Sequence, residues 1–362
     1  MKRISRRTFI KSAALLGAAA TASPLVFIPK ARAAWAKKTP VHPNVDNLRV
    51  VGITDPQMTT SLEPSCGWSR QDELVSATEV FENMDRLACA LVDTKKPEEA
   101  WRDIFLKPPG KAWSDVVVAI KTNHIALQHT RSAVIASVCH TFTDRMGVKG
   151  DNIHIYDGCH GSSMERDTPF KGLPEGTRIE GRWGGSNTPT SVPKPWNDPE
   201  GSACIKHLVN GSVDILVNIA LCKGHSSTFG GFTMTMKNHF GTFSPSPGHQ
   251  SGAQDYLLAI NQTPEILGTM DQRTGRVLFP RQQLCIVDAL WASKRGPGGN
   301  PSHQTNSLFM GVFSPVMDYL LATRFRGEKM GWGCQMETSR RMLTEFGFSE
   351  NDLPNAGRIM EI

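Results

Sequence analysis

The sequence predicts an α/β fold in which a mostly parallel sheet is flanked by helices. Short runs of valine, isoleucine and leucine recur along the chain, such as VVVAI at 116–120 and ILVNIAL at 215–221. Nearly continuous apolar runs of this length are typical of strands buried on both faces, as parallel strands are. The intervals between the runs are long enough for the helices that connect parallel strands.

The first half of the chain supplies two predicted strands, a helix and an insertion. Residues 115–123 and 152–158 are β-branched runs that end in polar residues or glycine, and each predicts a buried strand. Between them, apolar side chains recur every four positions in residues 128–146, which predicts a helix. Residues 159–201 are rich in glycine, proline and serine and predict a long irregular insertion.

The second half continues the alternation of strands and helices. Residues 213–221 and 283–290 are apolar and predict the third and fourth strands. Residues 308–325 predict a fifth strand followed by a helix, and residues 336–348 predict a C-terminal helix with one apolar face.

The N-terminal segment matches a twin-arginine export signal, with SRRTFIK at residues 5–11. An alanine-rich apolar segment follows, and Ala31-Arg32-Ala33 forms an A-x-A cleavage site. We expect residues 1–33 to be a signal peptide and residues 34–362 to form a single elaborate α/β domain with its core at about 50–330. The expected partner is the twin-arginine translocase, and the expected location is the periplasm or another exported compartment. The alternative is an ordinary secretory signal or an uncleaved anchor.

The whole of the positive net charge of +6 belongs to the predicted signal. Seven of the 40 lysines and arginines lie in residues 1–33, which contain no acid, so 33 basic residues remain against 34 acidic ones. A nearly neutral chain without clustered lysine and arginine is not typical of a nucleic-acid-binding protein. No later stretch approaches the roughly twenty apolar residues of a membrane helix. We therefore expect a soluble mature protein with no membrane span and a small-molecule ligand.

The eight cysteines show no cluster-binding pattern. None of them forms a C-x-x-C pair, so the chain has no motif for a resident iron–sulfur cluster or a zinc ribbon. Several lie in apolar runs, such as LCIVDA at 284–289, which favours buried free thiols. Spacing alone does not predict a disulfide pairing.

Polar residues follow the predicted strands where the strands end. In parallel sheets, ligands bind beyond the carboxyl ends of the strands. Lys121 and Asn123 end the first strand, Asp157 the second, the segment 218–225 the third, and Asp288 the fourth. Each of these residues could instead cap a turn, but their equivalent positions predict one shared site.

Three interpretations of the segment 222–239 remain open. In the first, it forms a pocket for an anion, a phosphate or a nucleotide-like cofactor. Lys223 and Lys237 supply positive charge, Asn238 a polar contact, and residues 226–231 hydroxyl groups and glycine amides, beginning with Ser226. The chain has no Walker motif and no G-x-G-x-x-G, which argues against ordinary triphosphate or dinucleotide binding.

In the second interpretation the segment binds a metal, and in the third it has no chemical role. Cys222 and His225 have the spacing of a ligand pair, and Asp157 is a further candidate. His239, Cys159 and His160 could complete such a set. In the third interpretation, His225, Lys237 and His239 only cap and brace a glycine-rich loop.

The chain resembles a known family in the stretches VVVAIKTN, LCKGHSSTFGGFTMTMKNHFG and LCIVDALWASKRGPGG. Together with Pro315-Val316-Met317-Asp318, they are similar to the family catalogued as domain of unknown function 362, over roughly residues 50–330. The resemblance implies a site at the Lys223-Gly224-His225 and Lys237-to-Gly241 segments. Many relatives carry ferredoxin-type cysteine motifs, which this sequence lacks, so the resemblance does not imply electron transfer here.

The leading hypothesis is a cofactor- or metal-assisted periplasmic enzyme that performs redox or proton transfer on a small anionic or polar molecule. The alternative is a non-enzymatic periplasmic protein for ligand binding or assembly. The predicted catalytic residues are His225, Lys237 and Asp288, with His225 as acid, base or metal ligand and Asp288 as base or ligand. The predicted cofactor-binding residues are Lys121, Asn123, Lys223, Ser226 and Asn238.

Overall fold

The protein has the α/β fold that the sequence predicts. The computed structural model describes residues 41–125, 128–158, 169–226, 231–271, 273–353 and 357–362. The predicted signal peptide lies outside the described residues. Eight strands form one large, mostly parallel sheet, and helices cover both of its faces.

Sixteen strands occur in the described part of the chain. In chain order they are β1 (Val51–Thr54), β2 (Val118–Lys121), β3 (His124–Ile125), β4 (Gln128–His129), β5 (Ile153–Tyr156), β6 (Arg178–Gly181), β7 (Ser186–Val192), β8 (Asp198–Ile205), β9 (Ile215–Leu221), β10 (Lys223–Gly224), β11 (Phe232–Thr233), β12 (Gly268–Met270), β13 (Val277–Pro280), β14 (Gln282–Ala292), β15 (His303–Gly311) and β16 (Met360–Glu361).

The strand order of the main sheet is β16-β1-β15-β14-β9-β2-β5-β6. All of its pairs are parallel except those that β15 makes with β14 and β1, which are antiparallel. The carboxyl ends of β2, β5, β9 and β14 therefore lie along one side of the sheet, which we call the carboxyl edge. The other strands form two-stranded pairs, β3–β4, β7–β8, β10–β11 and β12–β13.

Nine α-helices are present in the same described ranges. They are α1 (Trp68–Leu74), α2 (Ala77–Val92), α3 (Pro97–Ile104), α4 (Ser132–His140), α5 (Lys206–Val209), α6 (Ala253–Ile260), α7 (Pro264–Leu267), α8 (Ser314–Leu320) and α9 (Met336–Thr344). Two of them continue as π-helices, α4 through Thr141–Met146 and α8 through Leu321–Lys329. None of the described helices is long and apolar enough to cross a membrane.

Alternate residues of the central strands enter two different cores. In β9, Ile215, Val217 and Ile219 pack with α1 to α4, whereas Leu216 and Ala220 pack with α5 to α9. This division follows from the period of two along a strand, which sends successive side chains to opposite faces. Both faces are buried, and this explains why the strand sequences are apolar without alternation.

The insertion contains more regular structure than its composition predicts. Within its described part, residues 169–201, the chain adds β6 to the edge of the sheet and forms the hairpin strand β7 and the start of β8. The strand β7, SNTPTSV, has mostly partly or fully exposed side chains. Because most side chains of β7 are polar and its one buried apolar residue is Val192, hydrophobic periodicity does not reveal this hairpin.

Candidate functional site

A buried ion pair joins the ends of β2 and β5. Lys121 Nζ lies 3.1 Å from Asp157 Oδ1, and neither side chain is more than 1% exposed. Lys121 Nζ also donates to the carbonyl of Thr122 at 2.7 Å, and Asp157 Oδ2 accepts from the amide of His124 at 2.8 Å. Each charge is thus compensated within the carboxyl edge.

Four side-chain amides extend this network across the sheet. Asn123 Nδ2 donates to Asn238 Oδ1 at 3.0 Å, and Asn238 Nδ2 donates to Asn218 Oδ1 at 2.8 Å. Asn218 Nδ2 then donates to Gln282 Oε1 at 3.1 Å. We call these four residues the amide chain. All four are buried, and since each amide both donates and accepts, the chain ties β2, β9 and β14 to the turn that contains Asn238.

Lys223 joins the amide chain from β10. Its Nζ donates to Asn123 Oδ1 at 2.6 Å and to the carbonyl of Gln128 at 3.1 Å. Burial lowers the pKa of Lys223 to about 7, with Asp157 opposing the shift and neighbouring cations adding to it. Its two acceptors are uncharged oxygens, so a neutral amine can donate to both of them.

His225 lies in a basic environment next to Lys223. Its Nδ1 accepts from the amide of Ser226 at 2.8 Å, and the side chain is half-buried. Burial, followed by Lys237, His249 and Lys223, lowers the pKa of His225 to about 4. Among the described residues, the charged neighbours that lower this pKa are the basic Lys237, His249 and Lys223, and a positive potential of this kind favours an anion.

The triplet Lys237–His239 forms a 3₁₀ turn whose members have different partners. Lys237 Nζ lies 4.3 Å from the centroid of the Phe240 ring, a cation–π contact. Asn238 belongs to the amide chain, and His239 Nε2 lies 2.7 Å from Gln282 Oε1. Burial lowers the pKa of His239 to about 3, so this ring is a neutral part of the buried network.

Asp288 forms a second buried ion pair, separate from the first. Its Oδ2 accepts from the Arg131 amide at 2.9 Å and lies 3.5 Å from Arg131 Nη1. Its Oδ1 accepts from the amide of Leu290 at 3.2 Å. Among the described residues, no hydrogen bond or ion pair joins Asp288 to His225 or Lys237. In the described part of the chain, Asp288 therefore has no direct polar contact with the other two predicted catalytic residues, although its partner Arg131 lies close enough to lower the pKa of Lys223.

The candidate metal ligands also have different partners. The Cys222 thiol accepts from Arg326 Nη1 at 3.7 Å, and burial raises its pKa. Asp157 is paired with Lys121. The described residues contain no group of three or more histidine, cysteine or acidic side chains placed to bind a metal ion. Cys159 and His160, as well as most of the predicted anion loop after Ser226, lie outside the described residues.

Gln282 and Asp318 were not among the site residues predicted from the sequence, whereas Asn218 is the first residue of the predicted segment 218–225. Asn218 and Gln282 complete the amide chain, and Asp318 accepts from the amides of Thr235 and Met236 at 2.8 and 2.9 Å. Burial raises the pKa of Asp318 to about 6. The available signal is a polar residue inside an apolar run, as Asn218 is in ILVNIAL, because a buried polar residue needs a partner.

Two histidines of the β3–β4 hairpin also lie at the carboxyl edge. The rings of His124 and His129 are 5.0 Å apart, and the His124 ring is 4.9 Å from that of Phe170. His124 Nδ1 lies 2.8 Å from Thr122 Oγ1. The sequence places His124 at a strand end, but only the hairpin brings His129 beside it.

Comparison with known proteins identifies a family. The family model described as Domain of unknown function (DUF362) matches residues 118–320, which is more than half of the chain. No curated protein and no solved structure gave a significant match. The matched range includes the Lys121–Asp157 pair, the amide chain, Lys223 and Asp318. The chain therefore belongs to the DUF362 family.

Proposed function

We propose that the protein binds a small anionic or polar molecule at the carboxyl edge, beside the Lys223–His225 segment. The supporting observation is the basic environment of His225, to which Lys223, Lys237 and His249 contribute. A ligand with negative charge would compensate this potential further than Asp157 and Asp288 do, since these carboxylates pair with Lys121 and Arg131.

We further propose that the protein is an enzyme of proton or redox transfer that uses such a ligand. Near neutral pH, His225 is unprotonated and Lys223 is close to half-protonated, so both can accept a proton. Lys237, whose Nζ lies 4.3 Å from the centroid of the Phe240 ring, orients the anion. Asp288 has a positioning role, since it holds Arg131 and makes no contact with His225.

A nucleotide-like cofactor fits this site better than a metal does. The described residues of the predicted set include a cation, a hydroxyl group and a side-chain amide, at Lys223, Ser226 and Asn238, but the described residues contain no group of three metal ligands. An anionic cofactor would raise the pKa values of His225 and Lys223, because a nearby negative charge favours their protonated forms. Binding should therefore take up protons.

The test combines ligand identification with one variant and one control. Small molecules released from the purified protein are identified by mass spectrometry, and thermal stability is measured with inorganic phosphate, dicarboxylates and nucleotides. Lys237→Met should weaken the stabilisation by the active anion while the protein still folds. Lys95→Met removes an exposed lysine elsewhere and should leave that stabilisation unchanged. If none of these anions stabilises the protein and no molecule is released from it, the proposal fails.

A non-enzymatic binding or assembly protein is the second candidate. The observation in its favour is that Lys121, Asn123 and Asn238 are hydrogen-bonded to one another or to buried neighbours. Such a network can simply stabilise the fold. An identified ligand that is bound stoichiometrically but never converted, with or without added redox partners, would support this candidate over the enzyme.

We also propose that residues 1–33 direct export by the twin-arginine route, on the basis of SRRTFIK and the A-x-A site. Replacing both arginines, Arg6→Lys with Arg7→Lys, should leave folded full-length protein in the cytoplasm. Cell fractionation followed by mass measurement of the N-terminus checks this. Unchanged export of the double variant would indicate another route.

A further inference from the structure

A surface cavity of about 510 Å³ lies where β14 leads into β15. Its volume falls within the range of about 300–1,000 Å³ that small-molecule sites occupy. We call the segment that forms it the 294–303 loop. Its lining residues are Lys294, Arg295, Gly296, Gly298, Asn300, Ser302 and His303.

The charge of this cavity is positive and uncompensated. Its lining contains a lysine, an arginine and a histidine, but no carboxylate. Among the described residues, neither Lys294 nor Arg295 has an ion pair or a side-chain hydrogen bond. Other basic side chains of the surface do have such partners, for example Arg70 with Glu63 at 2.6 Å. The cavity thus offers two cations to a ligand.

The backbone of the 294–303 loop also contains amide groups that can donate hydrogen bonds to a ligand. Its amides at Arg295, Gly296, Gly298, Gly299 and Asn300 donate to no acceptor in the described part of the protein. Successive free amide groups in a glycine-rich loop form a concave binding site for anions. The two prolines of the loop, Pro297 and Pro301, have no amide hydrogen to contribute.

Arg326 anchors the start of the 294–303 loop through hydrogen bonds to its backbone. The buried guanidinium of Arg326 donates to the carbonyl of Ser293 at 2.9 Å and to that of Lys294 at 3.3 Å. It also lies over the ring of Trp332, 4.9 Å from the centroid. Since Arg326 binds the carbonyl oxygens of these residues, it fixes the loop without occupying its amides.

The loop is in backbone contact with the segment proposed to bind the anion. A Cβ atom at Gly224 would lie 2.4 Å from the carbonyl oxygen of Lys294, and one at Gly296 would lie 2.6 Å from the oxygen of Gly224. Neither position has room for a side chain. The 294–303 loop, which lines the cavity, therefore lies in direct backbone contact with the Lys223–His225 segment.

We propose that the 294–303 loop binds the phosphate group of a small phosphorylated ligand whose other end reaches the Lys223–His225 segment. This inference rests on the proposed function and specifies its ligand class. A phosphate is favoured over a carboxylate because its additional oxygen atoms can accept from two cations and several amides at once. An arginine and a lysine with free amides are the donors that phosphate sites use.

The test is titration calorimetry of the purified protein with inorganic phosphate and inorganic pyrophosphate at low ionic strength. Lys294→Gln with Arg295→Gln should weaken binding roughly tenfold or more, since charge-assisted contacts of this kind each contribute substantially. Arg273→Gln with Arg276→Gln is the control, because it removes the same charge from exposed positions between β12 and β13. All four side chains are at the surface, so both double variants should keep the melting temperature of the unliganded protein.

If Lys294→Gln with Arg295→Gln loses phosphate binding while Lys237→Met and the control double variant keep it, the proposal is supported. Equal loss in both double variants shows a general effect of net charge and overturns it, as does the absence of phosphate and pyrophosphate binding by the unmodified protein. Loss in Lys237→Met but not in the loop variant places the phosphate beside Lys223–His225, which overturns the loop site and supports the proposed function.

Discussion

Lys121 and Asp157 show why a lysine at a strand end need not be available to a ligand. Both side chains are buried, and each has a further hydrogen bond to the backbone. Removing one partner of such a pair leaves an uncompensated charge in a medium that solvates it poorly. The pair therefore holds β2 and β5 together at the point where the site begins.

We predict that Asp157→Asn lowers the free energy of unfolding by about 3–5 kcal/mol, because Lys121 loses its counter-charge. Asp151→Asn is the matched control. Asp151 is 69% exposed and lies 3.4 Å from a half-exposed Arg178, so its loss should cost less than about 0.5 kcal/mol. Urea unfolding of both variants measures this. Similar losses in the free energy of unfolding would show that the buried ion pair contributes no more to stability than the exposed one does.

Lys223 makes stability depend on pH. Its pKa of about 7 in the folded protein lies below the ordinary lysine value of 10.5. Between these values the unfolded chain binds a proton that the folded protein does not, so the free energy of unfolding rises with pH from about 7 to about 10.5. This contribution is fully present above the upper value and lost as the pH falls to the lower one.

We predict that Lys223→Met flattens this rise. The slope of the free energy of unfolding against pH should be smaller than in the unmodified protein, by at most about 1.4 kcal/mol per pH unit. Denaturant unfolding at intervals from pH 7 to pH 9 measures it. Lys149→Met, at an exposed position, should give a curve parallel to that of the unmodified protein. A Lys223→Met curve that is also parallel would contradict the lowered pKa.

At the scale of elements, the site depends on close contacts between backbones. Gly224, in β10, touches the base of the 294–303 loop, and Gly158 touches the carbonyl of Gly241, which follows the 3₁₀ turn. These glycines let irregular segments pack where a side chain would separate them. The relative positions of the two proposed ligand-binding segments follow from the contact at Gly224.

We predict that Gly224→Ala destabilises the protein by about 1–3 kcal/mol and weakens anion binding, since the new methyl group would displace the 294–303 loop. Gly67→Ala provides the control. The nearest atom to a Cβ there is Asn300 Oδ1 at 4.0 Å, so the substitution has room. Unfolding by urea and calorimetry with phosphate measure the two effects. Unchanged stability in Gly224→Ala would show that the loop shifts freely.

The sequence predicts the elements better than the contacts between them. Apolar runs locate β2, β5, β9 and β14, and their polar ends bring Lys121, Asn123 and Asp157 to one edge. Which side chains contact one another depends on the order of the strands in the sheet, and the apolar runs in the sequence do not specify that order. Asn218 contacts Gln282 because β9 and β14 are neighbours in the sheet. Asp288 pairs with Arg131, which lies between β4 and α4, rather than with His225.

At the scale of the whole molecule, stability comes from two large cores on either side of one sheet. The cores include Cys139 and Cys285, which are fully buried. The seven cysteines in the described residues are all free thiols. Burial raises the pKa of Cys285 to about 12, and that of Cys139 is raised as well. Since the thiolate is the reactive form, such thiols resist oxidation even in an oxidising compartment.

We predict that the protein unfolds at the same temperature with and without a reducing agent, because no disulfide among the described cysteines contributes to its stability. Thiol titration should label few cysteines in the folded protein, chiefly the partly exposed Cys89 and Cys334, and at least seven after denaturation in guanidinium without reductant. The denatured sample is the control for complete labelling. A melting temperature that falls by several degrees in reductant, together with fewer than seven labelled thiols, would show that a disulfide forms and contributes to the stability of the protein.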